Sequence, residues 1–135
     1  MRHVLCQIAL ALTLGLPAQA QDWALGGFDA VGLSHGGAPV AGRSDIVTMW
    51  RGRLWHFATE ENRARFEADP RAFLPRFDGF CPVSIAEARP EPGDPRFAVI
   101  VNGQLYLTRS ARAQRRLQEA PAEVLDRAEA NWQGR

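Results

Sequence analysis

Apolar and polar positions alternate along this chain in two recognisable stretches. Ile46 to Trp50 is an apolar and β-branched run, Leu54 to Ala58 is a second, and Arg51-Gly52 separates them. Two such runs around a two-residue break containing glycine predict a β-hairpin. Phe97 to Val101 and Leu105 to Thr108 repeat the pattern around Asn102-Gly103, the dipeptide best suited to a type I′ turn because both positions tolerate positive φ. Thr59 and Ser110 follow the two hairpins where a helix N-cap belongs, with hydroxyls able to accept from unpaired amides. Glu60 and Glu61 suit the positive end of the first helix. Asp69-Pro70 predicts the end of that helix and a capped start of another. Pro121 predicts a helix through Ala122 to about Trp132, with Val124, Leu125, Ala128 and Trp132 at helical spacing.

These patterns reflect a self-similarity. Gly27-Phe28-Asp29-Ala30-Val31 resembles Gly79-Phe80-Cys81-Pro82-Val83. Gly42, Gly52, Leu54, Arg65, Pro70, Leu74 and Arg76 then meet Gly93, Gly103, Leu105, Arg116, Pro121, Leu125 and Arg127 at one constant offset. The offset changes by one residue between the two blocks, as an indel in a loop would produce. The fold class expected is α+β, a single small domain of two pseudo-symmetric β-hairpin–helix repeats. The first repeat spans about 27–77 and the second about 79–132.

The N-terminal stretch reads differently. Met1-Arg2-His3 gives a positive start, Val4 to Leu16 is an apolar run, and Ala18-Gln19-Ala20 is a small–x–small cleavage pattern. Residues 1–20 are therefore expected to be a signal peptide, leaving residues 21–135 as a periplasmic or secreted protein. The apolar run is too short for a bilayer span of ~20 residues. Leu5 before Cys6 argues against a lipid anchor at that cysteine, and no twin-arginine pair precedes the run.

Without Arg2, acidic and basic residues balance, and no basic excess is available to collect on nucleic acid or anionic lipid. No later segment is apolar enough to span a membrane. Cys6 leaves with the signal, so Cys81 is the one thiol of the mature chain and cannot form an internal disulfide. In an oxidising compartment its expected fates are burial, a disulfide to a second chain giving a homodimer, or metal coordination.

The ordered motifs resemble a known family, the YHS domain. They are Trp55-His56-Phe57 followed by Glu61-Asn62-Arg63, Phe66 and Asp69-Pro70, the blocks Gly27-Phe28-Asp29 and Gly79-Phe80-Cys81, and the ending Asn131-Trp132. The resemblance covers nearly all of the mature chain. It implies a small α+β module that is often exported when it stands alone, with related versions accompanying heavy-metal transport. Where metal-associated versions carry cysteine, this chain has Ala58 or Thr59 and Asn62, and no Cys-x-x-Cys occurs. A thiolate cluster is thereby excluded.

Cys81 occupies the repeat position held by Asp29, which would set the two near the axis between the copies. A soft cation such as Cu(I) prefers thiolate, imidazole and thioether donors. Cys81, His56 and Asp29 form the candidate metal set, with His35 and Met49 as further donors. The plainer expectations are that Cys81 is a small buried apolar residue, His56 a half-buried packing residue whose repeat mate is Leu107, His35 a solvated loop residue and Met49 a core residue. Trp50, Trp55, Phe57, Phe66, Phe73, Phe77 and Phe80 read mainly as core, or as the walls of a groove between the copies that stacks a ligand or a partner's side chain. Arg63, Arg65, Arg112, Arg115 and Arg116 read as a solvated helix face.

No phosphate loop, nucleophile elbow or metalloprotease motif is present, so the chain is expected not to be an enzyme. The leading expectation is an exported binding module for copper or another soft metal. The alternative is a metal-free protein-interaction domain with a structural Cys81.

Overall fold

The computed structural model describes residues 22–133. The expected signal peptide of residues 1–20 lies outside the described residues.

The chain is mixed α and β, with two small antiparallel hairpins and packed helices. A 3₁₀ turn at Ala24–Gly27 leads into a five-residue helix α1 (Ala30–Ser34), then strands β1 (Arg43–Trp50) and β2 (Arg53–Phe57), then α2 (Glu60–Ala68). A 3₁₀ turn at Pro70–Phe73 connects to another at Arg76–Gly79. The same order then follows: α3 (Pro82–Ala86), β3 (Ala98–Val101), β4 (Gln104–Leu107) and α4 (Ala111–Glu119), ending in α5 (Pro121–Gln133).

Both hairpins close as their turn dipeptides require. Trp50 pairs with Arg53 around Arg51-Gly52, whose φ angles are 50° and 74°. Val101 pairs with Gln104 around Asn102-Gly103, at 49° and 73°. Two consecutive positive φ values make the primed turn whose twist matches that of the strands. Thr59 and Ser110 cap α2 and α4, accepting from the Asn62 and Ala113 amides at 3.1 and 3.2 Å.

Period-two alternation on the second hairpin divides the interior in two. Leu105 and Leu107 join Ala24, Val31, Leu33, Ile46, Trp55, Phe57 and Phe66 in one core. Their neighbour Tyr106 points to the other face and joins Phe77, Val83, Ile85, Val99, Leu117 and Val124. β4 is thus buried on both faces, and the two halves of the chain pack through it.

Two loops run against the strands at glycines that accept no substitute. A Cβ on Gly42 would lie 2.4 Å from the His56 backbone, and one on Gly93 would lie 2.2 Å from the Leu107 carbonyl oxygen.

Several expectations need correcting. Asp69 makes no side-chain cap, and Pro70 starts a single 3₁₀ turn rather than a helix. Met49 is 66% exposed. Its neighbour Trp50 turns toward the first core, so strand alternation sends Met49 outward.

Candidate functional site

The three expected donors are placed by short, well-defined elements. Asp29 is the N-cap of α1 and is fully buried. The Val31 and Gly32 amides donate to one carboxylate oxygen at 2.9 and 3.1 Å. The Ala58 amide and Asn62 Nδ2 donate to the other, each at 2.8 Å. This carboxylate staples α1 to the β2–α2 junction, and four donors occupy the lone pairs that a metal would need.

Cys81 is the N-cap of α3 and is also fully buried. Its amide donates to the Glu91 carbonyl at 2.9 Å, as the Asp29 amide donates to Val40. Its side chain belongs to the second core, whereas the elements beside Asp29 belong to the first. The cap's polar work falls to Ser84, whose hydroxyl donates to the Cys81 carbonyl at 2.7 Å and accepts from the Glu91 amide at 2.9 Å.

His56 is 4% exposed, more buried than its half-buried reading, and Trp23 covers it with ring centroids 4.7 Å apart. Its Nε2 has no hydrogen-bond partner among the described residues. His35 is exposed at the end of α1, where its Nδ1 donates to the Val31 carbonyl at 2.6 Å.

Among the described residues no three His, Cys, Asp or Glu side chains gather where they could hold a metal ion. Cys81, His56 and Asp29 are therefore not brought together as a ligand set. Asp29 is spent on its cap and its bonds to Ala58 and Asn62, the Cys81 side chain lies in the second core, and His56 packs under Trp23.

What the two halves do form is a cleft of about 360 Å³ at their seam. Leu25, Trp50, Trp55, Leu74 and Leu107 supply apolar walls, and Pro75, Pro92 and Pro95 stiffen the rim. Trp55 is fixed by its Nε1 donating to the Trp50 carbonyl at 3.1 Å, and the two rings meet edge to face at 5.8 Å. Arg51 and Arg53 also line the cleft. The Arg51 guanidinium lies 4.6 Å from the Trp50 ring centroid, and Arg53 reaches Asp22 at 3.2 Å.

Two left-handed turns face this space. Leu25 and Gly26 have φ of 53° and 60°, while Phe77 and Asp78 have 56° and 51°. A non-glycine residue in this region carries strain on the order of 1–3 kcal/mol, and such strain concentrates at functional sites. Gly26 satisfies the geometry without strain. Asp78 tolerates it as a short polar residue, and its exposed carboxylate makes no hydrogen bond or ion pair among the described residues.

A second concavity of about 350 Å³ lies among Arg89, Arg109, Arg112 and Arg116. Its central cation is already neutralised: Arg109 reaches Glu91 at 2.9 Å and Glu87 at 3.2 Å. The hydrogen bond with Glu91 is the first cause of its pKa lying above the ordinary arginine value.

No family model, curated protein or solved structure matches this chain. No helix among the described residues is long and apolar enough to cross a membrane. Of the seven aromatic residues read as core or groove, Trp50 and Trp55 line the cleft while Phe57, Phe66 and Phe77 are buried in the cores, and Asp78 was missed. Its signal was the glycine at the matching position: an aspartate standing where the first turn has Gly26.

Proposed function

We propose that this chain is an exported, stand-alone YHS-type domain built by duplication, and that it works as a small metal-free binding module with Cys81 as a structural residue. Several backbone features at the two offsets of the sequence repeat support the duplication. Gly42 donates to the Gly27 carbonyl and Gly93 to the Gly79 carbonyl, both at 2.8 Å. The paired turns have matching φ values, and five-residue helices follow at Asp29 and Cys81.

One observation carries the binding reading: the seam cleft is lined from both halves, with Trp50, Trp55, Arg51 and Arg53 on one side and, on the rest of the wall, Leu107, three prolines, glycines and an Asp78 carboxylate unpaired among the described residues. A pocket of ~300–1000 Å³ with apolar walls and a few polar groups is the usual form of a ligand site. The cleft lies at the low end of that range. The metal reading has less support, because no three donor side chains gather among the described residues and the Asp29 carboxylate already accepts four hydrogen bonds.

The test is amide and indole NMR on the protein purified after export, titrated with apolar aromatic fragments. Shifts should centre on Gly26, Trp50 to Trp55, Asp78–Gly79 and Gly93. Gly26→Asn adds a side chain where a Cβ meets no atom within 4 Å, at a φ that asparagine tolerates. It should fold normally and weaken binding. Fragments that map elsewhere, or to no coherent surface, would count against the cleft. A Cu(I) titration whose affinity disappears in Cys81→Ser would restore the metal reading.

A further inference from the structure

We infer that the seam cleft takes a short apolar peptide with both termini free, bound end to end as a zwitterion. This inference deepens the cleft reading and depends on it.

The charge pattern of the walls carries it. The first half contributes two cations, Arg51 and Arg53, from the tip of its hairpin, and the second half contributes one anion, Asp78. The Asp78 carboxylate is exposed and unpaired among the described residues, and it is held at a φ of 51°. Aspartate is one of the few residues that tolerates this conformation, and Asp78 sets this unpaired carboxylate on the cleft wall. Retained there, it is placed to meet a cation supplied from outside the chain.

Arg51 is the matching group for an anion. No carboxylate among the described residues pairs with it, and its described partner is the Trp50 ring. That stacking orients the guanidinium at the cleft while leaving its N–H donors available to a carboxylate. Arg53 adds positive potential on the same side, partly offset by Asp22.

A ligand complementary to both halves needs a carboxylate toward the hairpin, a cation toward Asp78 and an apolar body against Trp50 and Trp55. Because the opposite charges come from different halves, the ligand's own charges must lie at opposite ends. A free α-amino acid carries both on one carbon and satisfies the pattern poorly. A dipeptide carries them at its two ends, and the cleft volume of about 360 Å³ suits a ligand of that class.

Isothermal titration of the protein purified after export, with Leu-Phe and its end-blocked forms as probes, tests this. Leu-Phe should bind about fivefold more tightly than N-acetyl-Leu-Phe and about fivefold more tightly than Leu-Phe-amide, as one partly exposed charge pair allows. Free phenylalanine should be weaker still. Asp78→Asn should bring Leu-Phe down to the acetylated probe's affinity without changing that probe further. Arg51→Asn should do the same with respect to the amide, and it folds readily because it recreates the Asn-Gly turn of the second hairpin. Equal affinities for all the dipeptide probes, or a preference that survives both substitutions, would overturn the zwitterion inference. If aromatic fragments map to the cleft while no peptide binds, the inference falls and the cleft reading stands. If neither binds there, both fall.

Discussion

Replacing Asp29 by asparagine is the sharpest test of how the first half is held together. The carboxylate accepts four hydrogen bonds within 2.8–3.1 Å while fully buried. Asparagine keeps the shape but turns one acceptor into a donor. If its carbonyl serves Val31 and Gly32, its amide nitrogen faces the N–H groups of Ala58 and Asn62. Two hydrogen bonds to a charged group, each contributing about 1.5–3 kcal/mol, are then lost together. The expected cost is about 3–6 kcal/mol, a large share of the roughly 5–15 kcal/mol that holds a small domain folded. Urea unfolding followed by tryptophan fluorescence should show a lower midpoint with an unchanged m-value. In an Asn62→Ala background the same change should cost about 1.5–3 kcal/mol less, because one opposed donor is gone. A loss below about 1 kcal/mol in metal-free buffer would refute the staple. It would also reopen the carboxylate to a ligand role.

Gly93→Ala should destabilise by at least the 1–3 kcal/mol typical of overpacking, since the new methyl meets backbone atoms of Leu107 that cannot swing aside. Thermal unfolding checks it, and an unchanged melting temperature would contradict the close approach. Cys81→Ala should cost only about 1 kcal/mol, whereas Cys81→Asp should cost several, because it would bury a carboxylate in the second apolar core. Folded protein should resist alkylation at Cys81 and run as a single chain on a non-reducing gel. Asp94 is held below the ordinary carboxylate range, first by its hydrogen bond with Arg96. A depressed folded pKa contributes stability that is present above the unfolded value and lost as pH falls through the folded one. Asp94→Asn keeps the acceptor for the Arg96 amide, so it should flatten the decline in urea midpoint between about pH 5 and pH 3 while leaving the cap in place.

The elements that the sequence made legible are those specified within a few residues. Asn102-Gly103 and Arg51-Gly52 dictate primed turns, Thr59 and Ser110 dictate caps, and Val124 with Ala128 marks the buried face of α5. The helices α1 and α3 stayed hidden because five residues are too few to show a helical period. β1 starts at Arg43, earlier than its apolar run, because the pairing slips between Arg43 and Val47 and the polar residues beyond the irregularity remain exposed. The candidate site fared differently. Cys81, His56 and Asp29 were conspicuous as residue types, but whether side chains converge depends on packing between elements. The cleft joins residues as distant as Leu25 and Leu107, and no local pattern announces such a meeting.

The two helix caps show why donor type alone misled. At α1, a buried carboxylate is supported by an amide side chain, Asn62, brought in from α2. At α3, sulfur replaces the carboxylate, and the residue on α4 at the offset corresponding to Asn62 is the buried, apolar Ala113. Ser84 then takes over the loop amide and the cap carbonyl. The substitutions agree with one another: a polar cap with a polar support, an apolar cap with an apolar support and a local hydroxyl. What separates the halves chemically is therefore how each secures a short helix. Their shared product is the seam between them, where Asp78 and the two arginines of the first hairpin line one cleft.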